Sequence, residues 1–390
     1  MVSNYVVGSP SYHEEDVFVR VVPLTAGIHS YSTLSLSMCK QYSLSSQTSK
    51  INTINEIYLF MTLEKLRELD GDSDAHERFI RENSVNLYGG MLNICFINLQ
   101  LTKGQKLNKK DIEYINSFLM WSKNDIYVLP TLTFKDEALS PEDRRNTYNA
   151  FVSELLNAKN NTTPKSSNLR IGITIPAFYS RSRLEDIFNL FSNENRAPTF
   201  VAIDFENKRL STSAIEQKIT TTHRYYKEAK EEKYFIYGLR ARGRKRGNVP
   251  TEAEDIGTLL SGMNAIGRIH QDKQIKFVPQ PFSLDSFIGI DRTKYVYNHI
   301  NQIKNNMTEF IGFLEANNID YNTFPGKLIP DKHKRLLPHY RNFSRLEFNK
   351  ELDTLASEVI KNETREIKIR LNNKETTSAK NIVTHINRIV

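Results

Sequence analysis

Two short stretches carry the residue types that do chemistry. In "FVAIDFENKR" (200–209) an apolar run closes on Asp204 and Glu206. In "YGLRARGRKRGN" (237–248) a second apolar run opens into Arg240, Arg242, Arg244, Lys245 and Arg246, with Gly243 and Gly247 among them. Residues two apart on a strand share a face, so Asp204 and Glu206 are expected to point the same way. A pair of same-face carboxylates can divide acid and base roles, or hold a divalent cation such as Mg2+. Asp204 is the stronger candidate, because its apolar lead-in makes an unpaired carboxylate costly. The plainer reading is an acidic strand end that pairs with Lys208 or Arg209.

The arginine-rich loop suits an anion. Glycines let the backbone approach a ligand, and guanidiniums offer bidentate donors. A helix expected to start at Thr251 would add its N-terminus. Five cations exceed what one phosphate monoester needs, so a nucleotide or nucleic acid fits better. Arg240 and Arg242 lie nearest the strand and should face the site, while Arg244 to Arg246 reach outward. The plainer reading is a solvated basic loop. A second basic stretch, "KLIPDKHKRLLPHYRNFSR" (327–345), carries Lys334, Arg335 and Arg341 beside Tyr340 and Phe343. Its prolines suggest an extended track on which phosphates are neutralised and bases stack. The net charge is +8, and these two regions account for the excess, leaving the remainder about neutral. A localised surplus of this kind draws an anion to one place.

Other chemistries lack their signatures. The two cysteines, Cys39 and Cys95, form no CxxC, and the nine histidines show no ligand spacing, so no metal site is assigned. There is no G-x-S-x-G, no G-x-G-x-x-G after a strand and no P-loop. The N-terminal "MVSNYVVGSPSYHEED" does not read as a signal peptide, and no ~18-residue apolar window suggests a membrane span. A cytoplasmic setting without membrane contact is the expectation.

Residues of this kind need strand ends to hold them. "NEIYLFMTLEKLRELDG" (55–71) reads as a strand running into a helix that stops at Gly71, and "DVFVRVV" (16–22) alternates like a strand. From residue 85 a rhythm appears. Apolar runs at 91–99, 126–134, 169–176, 199–206 and 234–240 are followed by helical spacing at 108–122, 140–157, 182–193, 211–230 and 251–269. Such alternation signals a parallel sheet with helical crossovers. Ser182-x-x-Glu185, Ser213-x-x-Glu216 and Thr251-x-x-Glu254 fit capping boxes, and Ser140-Pro141-Glu142-Asp143 fits a cap followed by Pro and acids. Gly262 and Gly267 allow a further strand within 258–270, with Asn264 or Arg268 near its end. Residues 292–318 read as one long helix, 346–363 as another, and 365–373 as a strand.

The expected fold is a (β/α)8-type, TIM-like barrel with an N-terminal extension and a mostly helical C-terminal appendage. An open doubly wound sheet is the alternative. Residues 1–84 would supply the first strands, 85–289 the main α/β domain and 290–390 the basic appendage. Sites in such sheets lie at the carboxyl ends of the strands. Asn98, Gln100, Thr131, Thr133, Asp136, Tyr179, Ser180 and Arg181 are therefore candidate lining residues. The function this implies is an enzyme acting on a phosphorylated or nucleic-acid substrate. Asp204 and Glu206 would be its acid/base or Mg2+ site beside the arginine loop. The alternative is a non-catalytic nucleic-acid-binding or assembly protein on the same scaffold.

Overall fold

The apolar runs pair as parallel strands. The computed structural model describes residues 20–22, 53–82, 91–121, 126–136, 138–162, 170–191, 198, 200–206, 213–229, 234–240, 250–252, 263, 265–266, 284–326 and 330–360. β1 (Arg20–Val22), β2 (Thr53–Thr62), β3 (Met91–Leu101) and β5 (Thr131–Phe134) form one parallel sheet in that order. The second contains β10 (Ala265–Ile266), β8 (Phe235–Leu239), β7 (Phe200–Asp204), β6 (Arg170–Ile175) and β4 (Ile126–Val128), also parallel throughout. The protein is thus mixed α/β with parallel sheets. Among the described residues no hydrogen-bonded pairing closes the sheets into a ring.

The run read as one strand over 126–134 divides at Leu129-Pro130. β4 pairs with β6 and β5 with β3, so the chain passes from one sheet to the other. Pro130 has no N–H to give either ladder, which makes it a natural place to change partner. β3 also lies against β4, and β1 against β10.

The helices follow their strands: α1 (Leu63–Gly71), α2 (Ser73–Glu82), α3 (Lys109–Trp121), α4 (Pro141–Thr162), α5 (Leu184–Asn189) and α6 (Ser213–Glu228). Strand alternation sorts the apolar residues into two groups. Cys95, Ile97 and Leu99 of β3, Val201 and Ile203 of β7 and Ile236 of β8 pack with Leu119, Val152, Ile187 and Ile219 of the helices. The opposite faces of both sheets share a second cluster. Ile94 and Phe96 of the first sheet meet Ile126, Val128, Phe200, Phe235, Tyr237 and Leu239 of the second. Phe96 stacks on Tyr237 at 5.3 Å between ring centroids. Gly172 of β6 makes room there: a Cβ would stand 2.9 Å from Phe200 Cδ1 and 3.1 Å from Val128 Cγ2.

The caps are mixed. Ser140 Oγ accepts from Asp143 N at 3.1 Å, and Pro141 opens α4 as expected. The Ser182 box is corrected: Ser182 lies in a 3-10 turn (Arg181–Arg183), and α5 starts on Arg183 with no side-chain cap. The helix expected from Thr251 is also corrected at its start. Thr251–Glu252 is β9, which pairs antiparallel with β12 (Val296–His299). The strand allowed within 258–270 does form, as β10.

The C-terminal part has its own core. β9, β12 and β11 (Ile288–Asp291) form an antiparallel sheet covered by α7 (Asn306–Ala316) and α8 (Pro330–Ile360). Phe287, Phe310, Leu314, Phe324, Leu336, Tyr340 and Phe343 fill the space between them. The single helix expected over 292–318 is replaced by a turn, β12 and α7. Asp291 decides this, because its Oδ1 accepts from the N–H groups of Thr293 and Lys294 and closes a turn. The extended basic track is likewise corrected to helix. Pro330 sits at the first helical position, where a missing N–H is harmless. Pro338 is helix-interior, and burial of Leu336, Tyr340 and Phe343 on one face offsets its cost of ~3 kcal/mol. Among the described residues no helix is long and apolar enough to cross a membrane. Residues 365–390, with the strand expected at 365–373, lie outside the described residues.

Candidate functional site

At the carboxyl ends of β7 and β8, Asp204 and Arg240 face each other. Phe200, Ala202 and Asp204 share the inner face of β7, so Asp204 continues the inner cluster upward. Arg240 follows β8 directly and has φ 54°, a left-handed backbone that only the surrounding structure makes tolerable for a side chain of this size. The turn brings its guanidinium back onto Asp204. Nε donates to Oδ1 at 2.9 Å and Nη2 to Oδ2 at 2.5 Å, a bidentate fork. Both residues are buried, at 3% and 5% exposure. Phe205 N donates to Leu239 O at 2.9 Å and ties the two strand ends together.

The pair belongs to a longer network. The Arg240 guanidinium lies 5.8 Å from the ring centroid of Tyr58 on β2. Asn98 on β3, fully buried, donates from Nδ2 to the Tyr58 hydroxyl at 2.7 Å. Thr133 on β5 donates from Oγ1 to Asn98 Oδ1 at 2.7 Å. Five strands and both sheets therefore meet in one line of polar contacts: Thr133, Asn98, Tyr58, Arg240 and Asp204. Gln100 and Thr131 lie buried beside it on β3 and β5, where register pairs Asn98 with Thr131 and Gln100 with Thr133. Tyr148 of α4 is fully buried and donates to Thr174 O at 2.7 Å. Burial first, then the charges of Tyr179 and Asp204, holds its phenol well above the usual range.

The other candidates disperse. Glu206 does not share the Asp204 face. β7 ends at Asp204, and Glu206 is exposed with φ 48°, its N–H donating to Asp204 Oδ1 at 2.9 Å. Asp136 accepts from Ala138 N at 3.1 Å within its own loop. The Tyr179 hydroxyl donates to Asn149 Oδ1 of α4. Ser180 is exposed beside Ser182, and the side chain of Arg181 lies outside the description. Arg242, Arg244, Lys245, Arg246, Asn264 and Arg268 lie outside the described residues. Lys334, Arg335 and Arg341 are exposed on α8, but Tyr340 and Phe343 are buried at 1% and 4%, so neither can stack on a base. Among the described residues no group of three or more His, Cys, Asp and Glu is placed to hold a metal.

Tyr58 was missed by sequence reasoning. Its signal was a hydroxylated aromatic on the strand face opposite Leu59 and Met61. Which strand that face would look toward could not be read from residues 55–62 alone.

No protein-family model matches the chain. No curated protein matches it either. Among solved structures it is similar to a glycoside hydrolase family 5 enzyme from Prevotella bryantii B14, at 10% identity, covering 68% of this chain and 90% of that one, with a TM-score of 0.33.

The expected phosphate- or nucleic-acid-directed function is corrected by the geometry of the strand ends. The cation nearest the strand is engaged by Asp204 in a buried neutral pair, so it does not stand ready for an anion. The same pair occupies the carboxylate that was to act as acid, base or Mg2+ ligand. The alternative of a nucleic-acid-binding scaffold loses the stacking aromatics of its second basic stretch, because Tyr340 and Phe343 form the core beneath α8, while Lys334, Arg335 and Arg341 stay exposed.

Proposed function

We propose that the chain is a (β/α)8-type barrel protein that binds a small, neutral, hydroxyl- or amide-bearing molecule at the carboxyl ends of its strands. The eight ring positions would be β1, β2, β3, the β4–β5 segment, β6, β7, β8 and β10. Three features support the ring: the handover at Leu129-Pro130, the approach of β1 to β10, and an inner cluster drawn from both sheets. The observation that carries the ligand class is the line from Thr133 through Asn98 and Tyr58 to the Arg240–Asp204 pair.

The charges in that line cancel, so it has no preference for an anion. Tyr58 and Thr133 are its half-exposed members and would meet a ligand, while Asn98 and the ion pair stand behind and fix their positions. Thr133 donates its one proton to Asn98, so its oxygen presents lone pairs outward. A donor group on the ligand satisfies them, and a fully ionised phosphate has none to offer.

Ligand-observed NMR with panels of neutral polyols, small amides and phosphate monoesters tests this. Binding from the neutral panels, weakened at least ~10-fold in Thr133→Val, is expected, since a lost hydrogen bond is worth about 1.4 kcal/mol. Binding confined to the phosphate panel, or unchanged in Thr133→Val, would overturn the reading.

A further inference from the structure

A concave site lies far along the chain from the strand ends, between α7, α8 and the turn of the β11–β12 hairpin. It is a cavity of about 420 Å³ lined by Arg292, Glu309, Phe313, Phe343, Leu346, Glu347 and Lys350. That volume lies in the range of small-molecule sites. Its floor is apolar: Phe313 and Phe343 stand 5.7 Å apart between ring centroids, with Leu346 beside them.

The charges around it are unevenly committed. Arg292 donates from Nε to Glu351 at 3.1 Å and from Nη1 to Glu347 at 3.4 Å. Lys350 donates to the other oxygen of Glu347 at 2.6 Å, and the Tyr295 hydroxyl donates to Glu351. These two cations and two anions cancel. Glu309 remains, exposed on the first turn of α7, and no described residue forms an ion pair with it. Among the lining charges Glu309 is therefore the one with no ion-pair partner among the described residues, and it stands four positions before Phe313 on α7.

We propose that this cavity binds a monovalent organic cation with an apolar body, an arylalkyl or alkyl ammonium. The ammonium would lie between the Glu309 carboxylate and the face of Phe313, and the body would cover Phe343 and Leu346. Aromatic faces attract cations, and a nearby carboxylate strengthens the attraction. A carboxylate of the same shape would meet repulsion from Glu309. The proposal is independent of the strand-end site, which shares none of these residues.

The test uses the full chain and phenethylammonium as the probe, with 3-phenylpropionate as its opposite-charge counterpart, by isothermal titration calorimetry at low salt. Expected are saturable binding of the ammonium, at least tenfold weaker binding of the carboxylate, and a five- to tenfold loss in both Glu309→Gln and Phe313→Ala. Glu309 is exposed and Phe313 only half-buried, and circular dichroism checks that both variants fold. Should Phe313→Ala unfold, Phe313→Leu keeps the apolar volume and removes the ring, and the same loss is expected. No binding at millimolar ammonium, equal binding of the two probes, or unchanged affinity in Glu309→Gln would each overturn the proposal.

Discussion

Two ion-pair systems hold the two parts of the molecule, and they differ in how far water reaches them. The Asp204–Arg240 fork is sealed on both sides, with side-chain exposures of 4% and 6%. In the C-terminal part the Glu347 and Glu351 carboxylates are buried, but Arg292 keeps a third of its side chain in solvent and Lys350 well over half. A sealed pair contributes little net stability against an apolar substitute, yet its rupture strands a charge in a medium that cannot solvate it. A pair open to water on its cationic side is replaceable by solvent and salt. The first system can therefore fix geometry at strand ends, while the second tolerates adjustment around a cavity.

The largest test of this difference is Asp204→Ala. It leaves Arg240 buried without its carboxylate and is expected to cost ~3–5 kcal/mol in urea denaturation, with little dependence on salt. The double variant with Arg240→Ala should cost less than the two single changes added together, since it removes the stranded charge as well. Additive costs would show that the fork is not a unit.

Next comes packing. Gly172→Ala would push a Cβ to 2.9 Å from Phe200 Cδ1 at the meeting of the sheets, and a cost of ~2–3 kcal/mol is expected. In the C-terminal part, a Cβ on Gly289 would collide with the Tyr340 hydroxyl, which donates to Asn306 Oδ1 at 2.8 Å. Thermal unfolding of both variants compares the two cores. If Gly172→Ala were neutral, the inner cluster would be looser than described.

Arg292→Ala should cost less, ~1–2 kcal/mol, because Lys350 still serves Glu347 and Tyr295 still serves Glu351. That cost should shrink between about 0.05 and about 0.5 M salt, whereas the cost of Asp204→Ala should change little. The smallest effect is expected from Tyr58→Phe. It removes the acceptor of Asn98 Nδ2 and should cost about 1 kcal/mol while leaving the Asp204–Arg240 fork intact. A cost approaching that of Asp204→Ala would mean that the polar line fails as a whole.

Much of the fold was legible. The βα rhythm gave β3, β6, β7 and β8 within a residue or two of their ends, because period-two and period-3.6 burial leave different marks. The passage from β2 to α1, ending at Gly71, was also readable. The site was legible only by position. Asp204, Arg240, Asn98 and Thr133 were all named as strand-end residues, and all four enter the polar line. Their partners were not readable, since Asp204 meets a residue 36 positions away and Asn98 meets one 40 positions away. Composition made Arg240 one cation among five, and the structure makes it the partner of a buried acid.

Failures of the reading share one cause. Thr251 carries a helix-cap pattern and forms a strand, because β12 offers its backbone a ladder. Residues 292–299 have helical spacing and form a turn and a strand, because Asp291 and the hairpin satisfy their backbone groups first. The basic stretch around Pro338 looks extended and is helical, because one face of it is buried among aromatic side chains. Local pattern alone located the strands of the two parallel sheets. Tertiary structure decided which backbone each segment bonds and which charge each charge meets, because both depend on contacts between residues far apart in the chain and on how much water is left beside them.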